Sequence, residues 1–129
     1  MADVDGDGRN DLIWANGHGY GLHLWRQMKP DAEGKLQFEK HEIDKSWSQA
    51  HCLRWIDFDG DGRMDLVTGK RIRAHNGKDP GSAEPPVIVM YTWDDASQGF
   101  DQRVLHKGRM GGGLQMRVAD LNGDGKRDI

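Results

Sequence analysis

The sequence predicts an all-β fold: β-propeller blades of four antiparallel strands, in an incomplete ring. Three observations predict it. A nine-residue pattern of acids and glycines occurs three times, its copies beginning 54 and then 63 residues apart. Between the copies lie short β-rich runs bounded by glycine rather than long amphipathic helices. A repeat of about 55–60 residues with four short strands is the spacing of propeller blades.

Taken in order, the expected strands are Asp11–Ala15, Gly21–Gln27 and Leu36–Ile43 in the first repeat. The second repeat gives Cys52–Phe58, Asp65–Thr68, Pro86–Trp93 and Phe100–His106, and Leu114–Leu121 leads into the third loop. These eight amount to two four-stranded units cut out of phase. The divisions that follow are 1–50, a partial blade starting at its loop; 51–108, a complete blade; and 109–129, the first strand and loop of a third.

The recurring pattern reads Asp3-Val4-Asp5-Gly6-Asp7-Gly8-Arg9-Asn10-Asp11, then Asp57-Phe58-Asp59-Gly60-Asp61-Gly62-Arg63-Met64-Asp65, then Asp120-Leu121-Asn122-Gly123-Asp124-Gly125-Lys126-Arg127-Asp128. Oxygens at positions one, three and five of a tight loop converge on one centre, the glycines permit the positive φ of a wrapping backbone, and a carboxylate at position nine closes the cage. Such hard oxygen donors suit Ca²⁺. The expected ligands are Asp3, Asp5, Asp7 and Asp11 with the Arg9 carbonyl; Asp57, Asp59, Asp61 and Asp65 with the Arg63 carbonyl; and Asp120, Asn122, Asp124 and Asp128 with the Lys126 carbonyl. Up to three Ca²⁺ ions are expected. An EF-hand starts alike but needs a Glu at position twelve, and here Trp14 and Thr68 stand there.

Composition excludes other classes. Glycine is 18 of 129 residues, and 21 acids against 18 bases give a formal charge of −3, a poor balance for nucleic-acid binding. A single cysteine, Cys52, excludes a disulfide-stapled scaffold, and its place in a strand predicts a buried apolar role. No apolar run approaches the roughly 20 residues of a membrane helix, and residues 1–5 lack signal-peptide character.

A strand, then Asp-x-Asp/Asn-Gly-Asp-Gly-x-x-Asp, then Leu/Ile-x-x-Gly resembles the FG-GAP (VCBS) repeat of integrin-type propellers and bacterial extracytoplasmic proteins. The resemblance implies a Ca²⁺ ion in the turn between the first and second strands of each blade, and an extracytoplasmic location where the ion is abundant. A closed propeller has roughly four to eight blades. The expected partners are therefore the remaining blades of one propeller or identical copies completing a ring, besides a glycan or protein ligand.

Candidates for chemistry are His51, His75 and Arg71, near glycine-rich or aromatic loops, with Lys70, His106 and Arg109 as possible basic neighbours. Histidine and arginine together abstract a proton beside a carboxylate and stabilise the charge that forms. Trp47, in a polar stretch, is the candidate for stacking on a sugar; Gly108–Gly113 reads as a flexible connection and Lys78–Pro86 as a surface excursion. Two function classes stay open. One is a calcium-stabilised binding scaffold; the other is part of a sugar-active lyase or dehydratase with its site in the channel. Eleven acids belong to the loops, so outside them ten acids face 14 bases, and three bound Ca²⁺ ions would move the formal charge from −3 to +3.

Overall fold

The computed structural model describes residues 1–72 and 74–129. Strands β1 (Leu12–Ala15), β2 (Tyr20–Met28) and β3 (Gln37–Ser48) form one sheet in that order; β4 (Ala50–Ile56), β5 (Asp65–Lys70), β6 (Val87–Asp94) and β7 (Gly99–Lys107) form a second. Every pairing is antiparallel. The protein is all-β, with one complete four-stranded blade beside a three-stranded one. Among the described residues no helix is long and apolar enough to cross a membrane.

Side-chain alternation decides how the sheets stack. In the first sheet Ile13, Ala15, Leu22 and Ile43 point to one face, where they pack on Leu66, Val89 and Tyr91 of the second. The opposite face leaves Leu12, Trp14, Trp25 and Phe38 exposed. The second sheet is covered on both sides: Cys52, Val67, Ile88 and Met90 meet Met116 and Val118 on the far side. That double burial explains why every residue of β5 is buried and why β6 reads as a continuous apolar run.

The structure corrects several boundaries. β3 continues past Ile43 to Ser48, because Leu22 pairs with Asp44 and Tyr20 with Ser48 across an irregular stretch of register. Trp47 is therefore no ligand platform: it packs on the core between the sheets, and its Nε1 donates to the Tyr91 hydroxyl at 2.8 Å. Leu114–Leu121 forms no strand, so among the described residues there are seven strands rather than eight. It makes a single bridge, Ala119 to Asp128, and a strand needs a ladder of partners that this stretch does not find. It is nevertheless held in place, since Arg54 Nε donates to the Met116 carbonyl at 2.8 Å.

The glycine run before it is not a flexible connection either. A Cβ on Gly111 would lie 2.1 Å from the Lys70 carbonyl oxygen, and one on Gly112 2.8 Å from Cys52 Sγ. These glycines let the chain lie flat on β4 and β5. Cys52 is buried as expected, and burial pushes its thiol pKa up, away from nucleophilic character.

Candidate metal centres

The three acidic loops share one hydrogen-bond scheme. The position-one carboxylate accepts from the glycine N–H at position six: Gly8 to Asp3 at 3.0 Å, Gly62 to Asp57 at 3.2 Å, Gly125 to Asp120 at 2.9 Å. The side chain at position three accepts from the N–H at position five, and that at position five from position seven, in all three copies. Position nine reaches back to the N–H of position two: Val4 to Asp11 at 2.9 Å, Phe58 to Asp65 at 3.0 Å, Leu121 to Asp128 at 2.9 Å. Both glycines of every copy have positive φ, 74° to 89°, while a Cβ there would meet nothing within 4 Å. Backbone handedness rather than lack of space is what demands glycine.

The scheme draws oxygens together. One oxygen each from Asp3, Asp5 and Asp11 lies within 4.8 Å of the others, as do oxygens of Asp57, Asp59 and Asp61. An all-oxygen set of this density fits a hard divalent cation. Backbone N–H groups, Gly125 first and against the cost of burial, hold the Asp120 carboxyl below its ordinary pKa. Burial acts the other way on Asp11, raising it.

The copies differ in their surroundings. Asp11 and Asp65 are 0 % and 1 % exposed and are tied to the strand paired next to the one that follows their loop, Asp11 to β2 by the Gln27 N–H at 2.8 Å and Asp65 to β6 by the Thr92 hydroxyl at 2.6 Å. The Arg9 and Arg63 side chains donate to carbonyls of the same strands, Gln27 and Trp93. In the first loop Arg26 also forms an ion pair with the nearly buried Asp5, although without hydrogen-bond geometry. A cation of the protein already sits against one of the expected ligands there.

The FG-GAP-like repeat profile matches residues 3–68, just over half of the 129 residues. The chain belongs to the FG-GAP-like repeat family. No curated protein and no solved structure matches it. In this FG-GAP-like chain the second loop joins β4 to β5, the first two strands of the complete blade, and the first loop precedes β1 in the same way.

At the opposite end of the same strands lies the second polar cluster. The ladder Ile56–Asp65 to Ala50–Lys70 puts His51 and Arg71 at the end away from the loop. There His75 comes together with a residue not anticipated from the sequence, His18: their rings stack with centroids 4.5 Å apart and planes 6° from parallel. His51 stands perpendicular to His18 at 5.3 Å. Asp79, also missed, accepts from His18 Nδ1 at 3.2 Å and His75 Nδ1 at 3.1 Å. Burial, and then the Arg71 charge, push the His51 pKa below its ordinary value against an opposing contact with the Gly17 backbone.

A signal for the missed pair was present. His18 lies in the β1–β2 turn and His75 in the β5–β6 connection, so each repeat carries a histidine in the connection after the strand that follows its acidic loop, although with the loops aligned His18 falls on Ile72 rather than on His75. The wider basic pocket does not form. Lys70 is buried, its Nζ donating to Ser48 Oγ and the Gly81 carbonyl, both at 2.7 Å, and burial lowers its pKa. His106 accepts from the N–H of Arg109 instead, at 3.3 Å. The Lys78–Pro86 excursion is pinned: Gln49 Nε2 donates to Ser82 Oγ at 2.7 Å.

Proposed function

We propose that this FG-GAP-like repeat segment binds Ca²⁺ in its acidic loops and serves as an extracytoplasmic binding scaffold for a protein or glycan. The observation that carries the reading is the threefold recurrence of one hydrogen-bond scheme, with convergent oxygens in the first two copies. Bound Ca²⁺ would neutralise the clustered carboxylates, and Asp3, Asp5, Asp7 and Asp11, Asp57, Asp59, Asp61 and Asp65, and Asp120, Asn122, Asp124 and Asp128 would hold it. Modules of this kind fill at the roughly millimolar Ca²⁺ found outside cells, which is the basis of the proposed location. The exposed face carrying Leu12, Trp14, Trp25 and Phe38 is where a further blade, of the same protein or of another copy, completes the ring.

Calorimetric titration with Ca²⁺ tests the reading. Up to three sites and a Tm that falls on chelation are expected; a protein that binds no Ca²⁺ and melts identically with chelator overturns it.

A second reading, a sugar-active lyase or dehydratase, draws support from the meeting of His51, His75 and Arg71 at one end of the sheets. It requires turnover of an acidic polysaccharide that His51→Ala abolishes without lowering the Tm in Ca²⁺.

A further inference from the structure

The cluster opposite the acidic loops has the chemistry of a different metal site. Imidazole and carboxylate together select first-row transition ions rather than Ca²⁺, and two histidines with one carboxylate form a familiar open triad for them. One ring nitrogen each of His18 and His75 and an Asp79 oxygen all lie within 4.8 Å of one another. One carboxylate accepts from both rings, so a single cation entering there would take the place of both N–H···O contacts, with the two stacked rings turning toward it.

Each member is held from outside the triad. Asn16 Oδ1 accepts from the His18 N–H at 3.1 Å and shapes the β1–β2 turn. His75 (φ 45°, ψ 46°) and Asn76 (φ 57°, ψ 31°) both take the left-handed conformation that non-glycine residues avoid unless their surroundings impose it. The Asp79 carbonyl accepts from the Ser82 hydroxyl at 2.7 Å, and Ser82 is anchored by Gln49. The His18 and His75 side chains remain 55 % and 58 % exposed, which gives an ion a path in, while Asp79 is 14 % exposed.

The neighbourhood is also short of partners. Nε2 of His51 and Nε and a terminal nitrogen of Arg71 are buried with no hydrogen-bond partner among the described residues. Buried polar atoms are normally satisfied; the His51 ring nitrogen is free to face a ligand beside the triad, while the Arg71 guanidinium, which can only donate, calls for an anion or other acceptor there rather than for the cation itself.

We infer that His18, His75 and Asp79 form a binding site for a divalent transition-metal ion of the Zn²⁺ class, shared between two blades. His18 comes from the first sheet and His75 and Asp79 from the β5–β6 connection of the second, so the ion ties the sheets together at the end remote from the acidic loops. His51 stands beside the triad as a positioning residue. The site does not depend on the calcium reading, because it uses none of the loop residues.

The test is equilibrium dialysis of the whole chain against Zn²⁺ with Ca²⁺ at saturation, and again without Ca²⁺. One Zn²⁺ per chain is expected in both, with at least a tenfold loss of affinity in His18→Gln and in His75→Gln. On the unmutated protein, Zn²⁺ should shift the ring proton resonances of His18 and His75 and leave those of His23, His41 and His106 in place. No bound Zn²⁺, an affinity in either variant equal to that of the unmutated protein, or shifts confined to the other histidines each overturn the inference. The resonance measurement stands even if a variant fails to fold.

Discussion

Asp65 shows how one residue serves two structures at once. Its carboxylate closes the second acidic loop through the Phe58 N–H and anchors that loop to β6 through Thr92, at 1 % exposure. Asp65→Ala strands a partly buried N–H and a partly buried hydroxyl, each worth about 1 kcal/mol, so a drop in the urea midpoint is expected even without Ca²⁺. Gly112 is constrained by space instead: Gly112→Ala drives a methyl group into Cys52 Sγ and the Gly69 carbonyl and should cost about 1–3 kcal/mol in denaturant unfolding. Asp44 adds a pH dependence. Burial pushes its carboxyl up, but hydrogen bonds from Tyr91, Ser46 and Trp47 outweigh that and hold its pKa below 3.8. A depressed carboxylate contributes stability that is present above the unfolded value and lost as pH falls through the folded one. The stability gap between the natural protein and Asp44→Asn should therefore narrow as the pH drops below about 4, followed by circular dichroism.

At the scale of elements, the acidic loops were readable because their instructions are local. Handedness at two glycines and oxygen spacing of one, three, five and nine need no distant partner. What the loops meet was not readable. Arg26 reaches Asp5 only because β2 lies over the first loop, and nothing in a nine-residue window announces it. On the calcium reading proposed above, an ion entering that loop would have to displace the guanidinium. Arg26→Ala should accordingly raise the Ca²⁺ affinity of the first loop several-fold and leave the second unchanged, read from site-resolved titration by NMR. The length of β3 was hidden for a related reason. Asp44, Lys45 and Ser46 look like a loop, yet Asp44 earns its place in a strand by accepting from Tyr91, Trp47 and Gln102 of its surroundings.

For the whole molecule, one sheet is covered on both faces and the other on one. The uncovered face carries Trp14 at 51 % and Trp25 at 36 % exposure, with Leu12 and Phe38 beside them. Apolar faces of this kind associate. The chain alone should run in sizing experiments above its 14.5 kDa, and Trp14→Lys with Trp25→Glu should shift it toward the monomer. A compact monomer at all concentrations would show that the face needs no cover.

The sequence by itself determined the repeat, the acidic loops, the strand-rich class and the family, because each rests on short-range geometry: glycine handedness, oxygen spacing and strand alternation. Only the tertiary structure decided which end of the sheets gathers the histidines. His18 and Asp79 are 61 residues apart along the chain, and they meet because the turn after β1 and the connection after β5 emerge at the same end of two stacked antiparallel sheets. Such a meeting depends on how the sheets pack, and packing is a property of all the side chains between them rather than of any motif.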